Sequence, residues 1–105
     1  MTADNAMCED APKFDFGKLP MDLIPPEAMT ALAGVLQFGA DRYGRRAWEK
    51  GIARGRIMAA LLRHCACWMS GQSLDPDSGL PHSHHILCNA AFLVTYEARG
   101  LGGKE

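Results

Sequence analysis

The sequence predicts an all-α protein: a small three-helix domain with an extended N-terminal lead-in, completed by oligomerisation. Three observations carry that expectation. Apolar residues recur at helical spacing in three segments, and no run alternates convincingly as a strand would. Prolines and glycines fall between those segments, where a helix must start or stop. Each segment is also more apolar than a 105-residue chain can bury alone, which favours a dimer or a higher homo-oligomer.

Taken in order, residues 1–12 are polar and unpatterned and read as a flexible arm. Residues 13–99 form the helical domain, and residues 100–105 a flexible tail. The domain opens with KFDFGKLPMDLIPPEAM, whose prolines at 20, 25 and 26 forbid one continuous helix. Phe14, Phe16, Leu19, Leu23 and Ile24 are expected to pack this lead-in across the helices or onto a partner subunit. Lys18 follows Gly17, where a backbone turn would aim its ammonium inward; a solvated lysine is the alternative.

Pro25-Pro26-Glu27 opens the first helix, because a proline at a helix entrance lacks an amide that would be unpaired there anyway. Met29, Leu32, Val35 and Leu36 form its apolar face, and the pattern runs to about Tyr43, with Gly44 as C-cap. Gly39 inside this helix predicts a close backbone approach or a kink. Gly44 to Gly55 reads as a loop rich in Arg and Gly, with Trp48 its one large apolar residue. The second helix runs from about Arg56 to Met69, with Ile57, Ala60, Leu61, Cys65, Trp68 and Met69 as its core side. His64 and Trp68 share a face, one turn apart.

The chemistry concentrates in DPDSGLPHSHHILCN, from Asp75 to Asn89. Pro81 ends a turn-rich linker and starts a third helix that reaches about Arg99, its apolar side read as Ile86, Ala90, Leu93 and Val94. On that helix His82, His85 and Asn89 lie one above another, and His84 points elsewhere. Imidazoles one turn apart, beside the linker carboxylates and within reach of His64, have the composition of a divalent-metal site. The alternative is a set of histidines that cap a helix start and hydrogen-bond within the core.

Bulk charge narrows the partners. With a net charge of -1 the chain has no footprint for duplex nucleic acid. Arg42, Arg45, Arg46, Lys50, Arg54, Arg56 and Arg63 nevertheless crowd one window, a compact basic centre suited to a small anion. Cys8, Cys65, Cys67 and Cys88 lack zinc-knuckle spacing and read as small core residues in a reducing compartment. No signal peptide or membrane-spanning run is evident, so a cytoplasmic protein without membrane partners is expected.

KFDFGKLPMDLIPPEAM, FGADRYGRRAWEKG, LLRHCACWMSGQSLDPDSGLPHSHH and the following NAAFL resemble the phage-associated dATP/dGTP diphosphohydrolase domain, over roughly residues 13–97. The resemblance implies a small helical hydrolase of purine deoxynucleoside triphosphates in phage nucleotide-pool metabolism, hence the host cytoplasm. It also implies a divalent cation and a looser kinship with MazG-type all-α pyrophosphohydrolases. The paired acidic motifs of the MazG type are absent: Glu27 and Asp41 are isolated, and the later carboxylates lie in a loop. Positions matching the domain's pattern are Lys18, Asp22, Arg42, Tyr43, Trp48, Arg63, His64, Asp75, Ser78, Gly79, His82 and His85.

The expected roles follow from chemistry. His64, Asp75, His82 and His85 would hold the metal, which is manganese, cobalt, magnesium or zinc. A histidine-rich set favours the transition ions over magnesium. Lys18, Arg42 and Arg63 would clamp phosphates, Tyr43 or Trp48 would stack on the base, and Asp77 would act as general base. The rival expectation is a non-catalytic protein that sequesters a nucleotide or cyclic nucleotide in the same basic and aromatic pocket. A structural or regulatory subunit is the third.

Overall fold

The computed structural model describes residues 17–101. The expected arm (1–12), Phe14, Phe16, Cys8 and the last four residues of the expected tail lie outside the described residues. Helix α1 spans Pro26–Tyr43, α2 spans Arg54–Met69 and α3 spans His82–Arg99, so all three expected helices are present and the domain is all-α. Two short 3-10 turns were not anticipated, over Met21–Leu23 and Ala47–Lys50. Neither is long enough to impose a periodicity on its sequence.

Each boundary has a local cause. Extended Pro25 precedes Pro26 at the first helical position, so no helical hydrogen bond is lost to the prolines. Gly44 stops α1 at φ 104°, a conformation that side chains rarely adopt, while its amide still caps the Ala40 carbonyl. α3 packs against both α1 and α2 and is the spine of the fold. The turn over Ala47–Lys50 docks onto the C-terminal half of α3. There Trp48 stacks on Phe92 at 5.6 Å between centroids, and Phe92 on Tyr96 at 5.8 Å. The Tyr96 hydroxyl donates to the Trp48 carbonyl, and Glu49 pairs with both Arg46 and Arg99.

Several expected faces are corrected. The buried side chains of α3 are His82, His85, Cys88 and Tyr96, whereas Val94, read as core, is 65% exposed. Trp68 and Met69 of α2 and Met29 of α1 are likewise exposed rather than internal. The lead-in does not pack as expected, since Leu19, Leu23 and Ile24 stand open to solvent. Gly39 neither breaks α1 nor admits a neighbouring chain, because a Cβ there would meet nothing within 4 Å. It faces a cleft instead.

Candidate functional site

Two regions meet along the inner face of α3. The first is a polar knot at its N-terminal end. Among the described residues His64, Asp75 and His82 form a group whose ligand atoms all lie within 4.8 Å of one another. α2 supplies His64, the linker supplies Asp75, and the first position of α3 supplies His82.

The hydrogen bonds fix how these groups point. His82 is almost fully buried, and its Nε2 lies 2.7 Å from Gln72 Oε1, which can only accept. His82 therefore carries its proton on Nε2 and, while neutral, turns the Nδ1 lone pair towards Nδ1 of His64, 2.8 Å away. A hydrogen bond between two such nitrogens needs one proton, here on His64. A metal ion would take that proton's place, with Gln72 as the outer partner that holds the His82 ring. Burial, and then the neighbouring charge of His85, lower the His64 pKa, so its imidazole is neutral and available as a ligand at neutral pH.

Asp75 is preset by its own loop. The Ser78 amide donates to its Oδ2 at 2.9 Å, and Gly79, at φ 75°, closes the turn by donating to the Asp75 carbonyl. Burial pushes the Asp75 carboxyl up, but the Ser78 hydrogen bonds and the charges of His85 and His64 outweigh it. The pKa ends below the ordinary carboxylate value, so Asp75 is anionic beside the imidazoles. Two imidazoles with one carboxylate are a donor set that fits a divalent transition ion.

The structure places His85, the fourth expected ligand, differently from the other three. Its ring stacks parallel on His64 at 4.6 Å between centroids, and its Nε2 shares a 2.6 Å hydrogen bond with Ser78 Oγ. Asp75 Oδ2 is 3.8 Å from the same nitrogen. His85 thus buttresses His64 and the Asp75 loop. Its pKa is lowered chiefly by burial, against an upward pull from Asp75.

The second region is a cleft of about 530 Å³ running from this knot towards Trp48. Val35, Phe38 and Tyr43 of α1 line one wall, Arg56, Ala60 and His64 of α2 another, and His85, Asn89 and Phe92 of α3 its floor. Of the expected substrate-binding residues, Tyr43 and Trp48 line the cleft. Lys18, Arg42 and Arg63 do not. Arg42 instead lies over the Phe38 ring at 4.7 Å and grips Asp77 with two hydrogen bonds, of 2.7 and 3.3 Å. The expected phosphate clamp and the expected general base therefore hold each other. The Arg42 guanidinium keeps the Asp77 carboxyl below its usual range, which makes Asp77 a weaker base.

Sequence reasoning missed Gln72 as a partner of His82, and Arg56 and Asn89 as cleft residues. Asn89 carried a signal in its register with His82 and His85. Gln72 carried none, because its role depends on how the linker folds back.

A profile of the dATP/dGTP diphosphohydrolase, N-terminal, family matches residues 9–105. A protein of Salmonella phage PMBT28 named dATP/dGTP diphosphohydrolase is 35% identical over 81 residues, 77% of this chain and 28% of the relative. The chain thus spans less than a third of that relative's length. No solved structure matches it.

Proposed function

This chain belongs to the dATP/dGTP diphosphohydrolase, N-terminal, family, and from that premise we propose that it hydrolyses purine deoxynucleoside triphosphates to monophosphate and pyrophosphate in a metal-dependent reaction. The observation that carries the reading is the convergence of His64, Asp75 and His82 at the head of an aromatic-lined cleft. His64 Nδ1, His82 Nδ1 and an Asp75 carboxylate oxygen would hold the ion, with Gln72 and Ser78 fixing their orientations. A bound divalent ion supplies Lewis acidity and an acidified water at neutral pH.

The rest of the chemistry belongs to the chain. Arg56, on the cleft wall, is placed to balance phosphate charge, and Tyr43, Trp48 and Phe92 offer apolar surface to a base. Arg42 joins the phosphate clamp if a triphosphate, with its larger charge, displaces Asp77. That exchange would free the Asp77 carboxylate to accept a proton from water. The exposed side chains of Leu62, Met69 and Val94 support a homo-oligomer as the working form, and a substrate drawn from the nucleotide pool supports the host cytoplasm as its location.

The pairing of Asp77 with Arg42 favours a second reading, a nucleotide-binding protein without turnover. One experiment separates the two. Metal-stripped protein is incubated with each deoxynucleoside triphosphate and manganese, cobalt, zinc or magnesium, and the products are resolved by chromatography. Metal-dependent release of dAMP or dGMP with pyrophosphate is expected. Return of every triphosphate intact would overturn hydrolysis and leave the binding protein.

A further inference from the structure

Asn89 stands out in the cleft because its side chain is oriented but half used. It lies on the floor formed by α3, one turn past His85 and one turn before Phe92. Its Nδ2 donates to the His85 carbonyl at 3.0 Å, and that bond fixes which end of the amide is which, since a carbonyl cannot accept from Oδ1. Oδ1 and the second Nδ2 hydrogen then have no partner among the described residues. Asn89 is half-buried, and Val35, Phe38, Cys88 and Phe92 line the same cleft.

An acceptor beside a donor, in one plane and next to aromatic walls, matches the edge of a base. Adenine offers its exocyclic amine as donor with an adjacent ring nitrogen as acceptor. Guanine offers its N1 hydrogen with O6 as acceptor. The two pairs run in opposite order along the ring edge, so the one amide pairs with either purine when guanine lies turned over relative to adenine.

We propose that Asn89 is the base-reading residue of this site and that its free amide edge makes the cleft accept both adenine and guanine nucleotides. The inference rests on the hydrolase reading for its substrate class and adds the residue that selects the base. Asn89 acts on substrate recognition alone and takes no part in bond cleavage.

The chemistry predicts how the preference changes. Asp at this position offers two acceptors and no donor. It suits guanine, which presents the N1 hydrogen and the exocyclic amine side by side, and it leaves an adenine ring nitrogen facing a carboxylate. Leu at this position offers neither and should lose the selection of base altogether.

The test compares wild type, Asn89→Asp and Asn89→Leu, each checked for helical content and cooperative melting. Relative kcat/KM is measured for dATP, dGTP, dCTP and TTP under the metal that supports the wild type. Asn89→Asp is expected to raise the dGTP-to-dATP ratio about tenfold, as one bidentate base contact allows. Asn89→Leu should weaken KM for both purines while largely sparing kcat on what binds. An unchanged dGTP-to-dATP ratio in folded, active Asn89→Asp would overturn the base-reading role and leave the hydrolase reading standing. A wild type that neither hydrolyses nor binds any of the four nucleotides would overturn both.

Discussion

The two halves of α3 turn the same stripe inward and fill it with opposite chemistry. Towards the N-terminus the stripe is His82 and His85, two buried imidazoles satisfied by Gln72, His64 and Ser78. Towards the C-terminus it is Phe92 and Tyr96, stacked with Trp48 from the turn before α2. The geometry of the helix is indifferent to the change, because the same spacing aims both sets at the interior. What differs is what each half responds to. Apolar packing depends on volume, and a buried imidazole network depends on protons and ions.

Removing the apolar half should have the largest effect. Phe92→Ala takes the middle ring from the Trp48–Phe92–Tyr96 stack and should cost about 3 kcal/mol, read from denaturant unfolding, without changing metal affinity in the folded fraction. A loss that size is large beside the ~5–15 kcal/mol by which small domains are stable. If Phe92→Ala weakens metal binding as much as stability, the two halves are not separate units.

His82→Ala makes the converse break. Loss of a ligand together with its Gln72 partner should lower affinity for manganese or zinc by about a hundredfold or more, measured by calorimetric titration. Affinity like the wild type's would remove His82 from the metal centre. The same titration of His85→Ala sharpens the assignment, because a buttress should cost less than a ligand.

The smallest effect is on pH dependence. His64 and His85 both have pKa values lowered in the folded protein, mainly by burial, so the unfolded chain binds protons more readily than the native one. Their contribution to the stability of the metal-free protein is therefore complete above the free imidazole value near 6.5. It falls away as the pH drops through the lowered native values. Thermal melting between pH 7 and pH 5 should show this decline, and metal should oppose it by holding His64 deprotonated. A Tm that stays flat across that range would show that burial of these rings carries no proton linkage.

Much of the fold was legible because helix ends are written locally. Pro25-Pro26, Gly44 and Pro81 fall within a residue or two of the observed boundaries. The faces were less legible, since counting apolar residues assumes that the apolar side is the inner one. In α3 the inner stripe holds histidines, so Val94 was assigned inward and is exposed. At the site, register put His82 on one face with His85 and Asn89, and the linker's composition singled out Asp75. Contacts that close across the chain left no trace. Arg42 and Asp77 are 35 residues apart, and each looked like a free functional group. The stacking of His85 on His64 likewise depends on the angle between α2 and α3 rather than on spacing.

The linker between α2 and α3 also bears on how fast an ion would be captured under the proposed metal-dependent reading. Its two ends are cinched together by the bridge between Leu74 and Pro81, the Asp75 amide on the Leu80 carbonyl and the His82 amide on the Ser73 carbonyl. Asp75 is thus carried on a closed hoop whose base is the first turn of α3. An arriving ion would meet a carboxylate already in position and need not wait for a loose segment to search for it. Capture should then be limited by the stripping of water from the ion, and its rate should follow the identity of the metal rather than the motions of the chain.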